Sequence, residues 1–72
     1  MVIGIQQIFE INFTDETWMI QLGKLSLRAE KIVLKNFAAT SVSMPYVKAI
    51  LTQNNLYISS WEDDLVIERC SS

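Results

Sequence analysis

Few residues in this chain are of types that do chemistry. Glu62, Asp63 and Asp64 are three consecutive carboxylates. Such a cluster attracts divalent cations, but cation loops alternate ligands with spacers and turn on a glycine, and this run has neither. It reads as a solvated turn between two strands, and no metal is expected. Cys70 is the single thiol. A nucleophilic cysteine needs a base or a strongly cationic setting to hold it as thiolate, and its one adjacent cation is Arg69. The chain has no histidine. That absence removes histidine-based triads, histidine acid–base catalysis and histidine-containing zinc sites. The only glycines are Gly4 and Gly23, so no glycine-rich loop exists to cradle phosphate. No catalytic residue is assigned, no cofactor is expected, and the chain reads as a non-enzyme.

Binding chemistry is better represented. Lys24, Arg28, Lys31, Lys35 and Lys48 are five of the six basic residues, and they fall in the middle third of the sequence with only Glu30 among them. The flanking thirds are acidic, carrying Glu10, Asp15 and Glu16 on one side and Glu62, Asp63, Asp64 and Glu68 on the other. Lys24, Arg28, Lys31 and Lys35 follow one another at spacings of 4, 3 and 4. On a helix they would share a sector of about 60°. Trp18, Tyr57 and Trp61 can stack on bases, but aromatics at strand positions more often fill a core or an interface. Trp18 and Trp61 are the anchors expected of such an interface.

These side chains must be positioned by a small body. Seventy-two residues make one domain, spanning 1–72, with room for a single core. Half the residues are apolar and mean hydropathy is +0.22, a surplus for so short a chain. Excess apolar surface is readily placed in a subunit contact, so self-association through a sheet edge or an aromatic face is expected. No apolar run approaches the length of a membrane span, and Met1–Gln7 has neither a basic segment nor a cleavage site. One cysteine cannot staple a secreted fold. An intracellular, cytoplasmic protein with no membrane contact is expected.

Periodicity supplies the elements. Phe9, Ile11 and Phe13 alternate with Glu10, Asn12 and Thr14, as in a half-buried strand. Ile3 and Ile5 extend the same parity, with Gly4 as a bulge. Trp18, Ile20 and Leu22 alternate again after Asp15-Glu16, which suggests a hairpin ending at Gly23. The basic spacing favours a helix over 24–37, although Ile32-Val33-Leu34 has strand character. Ser43 as N-cap and Pro45 in the first turn open a helix over 43–53, stopped by Asn54-Asn55. Leu56–Trp61 and Leu65–Cys70 form a second hairpin about the acidic turn. The expected architecture is α+β, ordered ββααββ, with an antiparallel sheet packed on two helices.

Two functions follow from this reading. The first is a small regulatory or adaptor protein that binds another protein through the basic helix face and an apolar, aromatic surface. The second uses the same basic stripe on nucleic acid. The segment 42–51 is spaced like the recognition helix of a helix-turn-helix, and 27–68 is similar in outline to a winged helix, which implies DNA binding. That pattern departs at Ser41, where glycine is usual, at Thr40, and at a wing tip made of Glu62-Asp63-Asp64, which phosphates repel.

Overall fold

The computed structural model describes residues 7–70. The alternating run near the start is a strand, β1, Ile8–Asn12, with Ile11 buried and Glu10 and Asn12 exposed. Ile3, Ile5 and the bulge expected at Gly4 lie outside the described residues. Asn12 ends the strand by turning the chain on itself: its Oδ1 accepts from the Thr14 N–H at 3.0 Å and from the Thr14 hydroxyl at 2.8 Å.

The next segment is helical and not a returning strand. α1 spans Trp18–Leu25. Asp15 sets its start, because one carboxylate oxygen accepts from the backbone and the hydroxyl of Thr17, at 2.8 and 2.7 Å. Those two bonds, chiefly the backbone one, hold the Asp15 carboxyl below the usual aspartate range, and Gln21 adds a weaker bond. A six-residue run fits either period, but the helix puts Trp18, Leu22 and Leu25 on one side at i, i+4 and i+7. Leu22 is buried and the other two are half-buried. Gly23 lies inside this helix. A Cβ there would stand 3.2 Å from the Tyr46 Oη of the second helix, so its small size permits the close crossing.

The helix expected over 24–37 is also corrected. α1 ends at Leu25, and β2 occupies Lys31–Lys35. The β-branched run outweighs the spacing of the charges: Ile32 and Leu34 point into the core while Lys31, Val33 and Lys35 point away. Asn36 follows at a positive φ of 59°, which asparagine tolerates better than most residues.

α2 is Ser43–Gln53 and lies where the sequence places it. Ser43, Val47 and Leu51 form its buried stripe. Its cap is one turn earlier than expected. Thr40 Oγ1 accepts from the Ser43 N–H at 3.0 Å while Ser43 Oγ accepts from the Thr40 N–H at 2.7 Å, a reciprocal pair like a capping box. Asn55, at φ 56°, ends the helix as anticipated. The C-terminal hairpin is likewise present, β3 at Leu56–Trp61 and β4 at Leu65–Arg69.

The class is therefore α+β, a small domain whose described residues form four strands and two helices in the order β1-α1-β2-α2-β3-β4. The sheet is mixed and not wholly antiparallel. Its order is β1-β2-β4-β3, with β1 and β2 parallel and the other two pairings antiparallel. A parallel pair needs a crossover, and α1 is that crossover. Ile11, Leu22, Ile32, Leu34, Val47, Leu51, Leu65 and Ile67 close one core between the helices and one face of the sheet.

One atom in that core has no partner. Ser26 is fully buried and its hydroxyl makes no hydrogen bond to any described residue. An unsatisfied buried hydroxyl costs about 1–3 kcal/mol. Ser26→Ala is expected to raise stability by about 1 kcal/mol in urea denaturation. A loss of similar size would reveal a bound water or partner for that hydroxyl.

Candidate functional site

The folded chain disperses the basic residues. Lys24 is exposed in the last turn of α1, and Arg28 is exposed in the turn that follows, with its guanidinium carbon 5.7 Å from the centre of the Phe9 ring. Lys31 and Lys35 are two residues of β2 on the outward face, Lys31 half-buried and Lys35 exposed. Lys48 is exposed on α2. No single helical stripe unites them, because β2 takes the place of its second half. The helix-turn-helix outline loses its first helix for the same reason: β2 and a loop precede α2.

The tryptophans are brought together through other aromatics. Tyr46 meets Trp18 at 5.8 Å between ring centres, Trp18 meets Phe13 at 4.7 Å, Phe13 meets Phe37 at 5.0 Å, and Phe37 meets Trp61 at 5.9 Å. The arc lies at the carboxyl ends of β1 and β2, where the loops leading to both helices meet the tip of the C-terminal hairpin. Its pairs are tilted or edge-to-face, the arrangement favoured by the ring quadrupoles. Trp18 is half-buried in it, whereas Trp61 keeps 49% of its surface exposed. The acidic turn beside Trp61 is partly engaged, since an Asp64 carboxylate oxygen accepts from the Asn36 N–H at 3.0 Å.

Two surfaces are left uncovered by the described residues. The first is the outer side of α1 and of the turn after it, where Ile20 is 59% and Leu27 74% exposed, with Lys24 between them in sequence and Arg28 next to Leu27. The second is the outward face of the sheet. Both helices pack on the opposite face, and no described element covers this one. Register gives its rows. Ile8, Lys31, Glu68 and Tyr57 stand side by side across the four strands, and Glu10, Val33, Val66 and Ser60 form the next outward row. Ser59 is the extra residue of an irregularity between Ile58 and Ser60. Ile8 is 53% and Tyr57 45% exposed.

The residue that sequence reasoning missed is Arg69. Its Nε donates to Ala29 O at 2.8 Å, Nη1 to Asn54 O at 2.7 Å and Nη2 to Ser26 O at 2.7 Å. One guanidinium thus ties the chain after α1 to the end of α2. Both helices point the negative end of their dipoles at it. A usable signal was present: Leu65, Ile67 and Arg69 share one parity, so Arg69 continues the inward face of β4.

Cys70 is exposed and free; its N–H donates to Asn55 O at 2.9 Å. Among the described residues no three His, Cys, Asp or Glu side chains gather around a possible metal position. No described helix is long and apolar enough to cross a membrane. No family model, curated protein or solved structure matches the chain.

Proposed function

We propose that this chain is a small, non-catalytic cytoplasmic protein that acts by binding another protein, as a regulator or adaptor, through the outer side of α1. The observation that carries this reading is the exposure of Ile20 and Leu27 around Lys24 and beside Arg28. Single exposed leucines are ordinary on protein surfaces. Here two large exposed apolar side chains stand seven residues apart, one on α1 and one in the turn after it, and two cations accompany them in sequence. An apolar centre with a charged rim is the composition of a protein interface. The complementary partner surface is apolar with an acidic border. Binding to nucleic acid draws less support, because the cations stand on separate elements and Lys31 and Lys35 share their face with Glu10 and Glu68.

Affinity capture from native lysate tests the reading. The wild-type chain is expected to retain a protein that Leu27→Asp loses by about tenfold or more, a size typical of a charge placed at an interface anchor. Lys24→Glu should weaken the same capture, and neither change should lower the melting temperature. Equal capture by all three forms would refute the α1 surface. Retention of nucleic acid with a steep salt dependence would replace this reading with the other.

A further inference from the structure

We propose that the open face of the sheet binds a second copy of this chain, forming a symmetric dimer in which two sheets stack face to face about an axis parallel to the strands and midway between β2 and β4.

The argument rests on the order of residues across the rows. One row reads Ile8, Lys31, Glu68, Tyr57 from β1 to β3. A two-fold axis along the strands reverses that order in the facing copy. Lys31 then lies over Glu68 of the second copy, Glu68 over its Lys31, and Ile8 over its Tyr57. The next row, Glu10, Val33, Val66, Ser60, reverses equally well. The valines meet at the centre, and each Glu10 lies over a serine hydroxyl. No charge faces its like in either row.

Other placements fail on the same registers. A two-fold axis perpendicular to the strands and lying over the first row sets Lys31 on Lys31 and Glu68 on Glu68. Moved to the second row, that axis brings Lys31 toward Lys35, two steps along the same strand face. Like charges opposed in this way are destabilising. Placed between the two rows, the perpendicular axis sets Lys31 over Val33 and Glu68 over Val66, with no opposite charge to meet either. Of these placements the strand-parallel axis is the one that pairs opposite charges. It also matches the usual aligned stacking of sheets, whose strand directions stay within about 30°.

The face is small. Four strands about 4.8 Å apart and five residues long span roughly 20 by 17 Å. That is roughly 340 Å² of sheet plan per copy, under the ~800 Å² per partner of a standard interface, so weak association is expected, with a measurable monomer–dimer equilibrium at micromolar concentrations and above.

Charge exchange tests the axis directly. Sedimentation equilibrium of the full chain is expected to show dimer at tens of micromolar, and Lys31→Glu and Glu68→Lys are each expected to weaken it at least tenfold. In Lys31→Glu homodimers all four facing groups are acidic, and in Glu68→Lys homodimers all four are basic. Mixing the two single variants pairs acid with base at every contact, so the mixture should dimerise although neither component does. The double variant Lys31→Glu/Glu68→Lys should also recover. Circular dichroism of each variant confirms that the fold persists, and Leu27→Asp serves as a control that leaves the dimer intact. A wild-type chain that stays monomeric to millimolar concentration would overturn the proposal. So would a dimer indifferent to the single changes, or a mixture of the two variants that remains monomeric. A sheet face that instead captures a different protein, with the chain itself monomeric, overturns it as well.

Discussion

Arg69→Met is expected to cost about 3–5 kcal/mol of stability, the largest effect of any single side chain outside the apolar core. The sum follows from three hydrogen bonds donated by one charged group, each of which contributes roughly 1.5–3 kcal/mol before overlap between them is discounted. The acceptors are the carbonyls of Ser26, Ala29 and Asn54. Ser26 and Ala29 are themselves buried, so water cannot readily replace the lost donors. Methionine keeps the length and the apolar stem but donates nothing. Domains this short hold only about 5 kcal/mol in total, so the variant should melt roughly 15 °C or more below wild type. Arg69→Lys should recover less than half, because one ammonium cannot reach three carbonyls set around a planar fork. Urea denaturation followed by circular dichroism measures all three forms. A loss below about 1 kcal/mol in Arg69→Met would mean that the helix ends find other donors.

The same staple explains why the C-terminal strand belongs to the core of the fold. β4 is central in the sheet, between β2 and β3. Its backbone also reaches the loop after α1, since the Arg69 N–H donates to Glu30 O at 2.9 Å. The strand that arrives last in sequence thus locks both helices that precede it. Folding of the parallel pair β1/β2 through its crossover leaves the second edge of β2 to be completed by β4. That pairing is non-local, and such pairings form slowly.

What the sequence revealed depended on whether an element announces itself locally. α2 carries its apolar stripe, a proline in its first turn and an asparagine stop, so its limits coincide with 43–53. The last hairpin has two β-rich runs about a polar turn. At 17–22 and 31–35 local cues conflicted. Trp18 and Leu22 fit a period of two as well as a helix, Ile20 fits only the former, and the Asp15–Thr17 bonds at the start of the segment favour the helix. The helical spacing of Lys24, Arg28, Lys31 and Lys35 spans an element boundary and has no structural cause. Buried residues set secondary structure, and exposed lysines are compatible with either form. The parallel pairing of β1 and β2 is a tertiary outcome that no short window contains. Of the candidate site residues, Lys31 stands in register opposite Glu68, a relation invisible before strand pairing is known. In a segment read as strand and then basic helix, nothing in the sequence marks Ile20 as the outer side of α1 or Leu27 as part of the turn after it.

The aromatic arc yields the second large effect. Phe13→Ala is expected to destabilise the chain by about 3 kcal/mol, the low end for removing a phenylalanine because Phe13 is only half-buried. Phe13 is the link between the two halves of the arc, with Trp18 4.7 Å away on one side and Phe37 5.0 Å on the other. Its backbone N–H also donates to Lys35 O at 2.8 Å, which fixes the carboxyl end of β1 beside β2 whatever the side chain. Truncation therefore opens a gap between rings and leaves the backbone register in place. Trp18 loses a tilted ring contact and gains water, so its emission should shift to the red before the protein unfolds. Trp61 contacts only Phe37 in the arc, and its emission should change much less. Making the substitution in a Trp61→Phe background separates the two emitters. Phe13→Leu should recover more than half of the lost stability, since most of the apolar volume returns without the ring geometry. If Phe13→Ala cost less than about 1 kcal/mol and left Trp18 emission unchanged, the ring would be a surface ornament and the arc would hold nothing together.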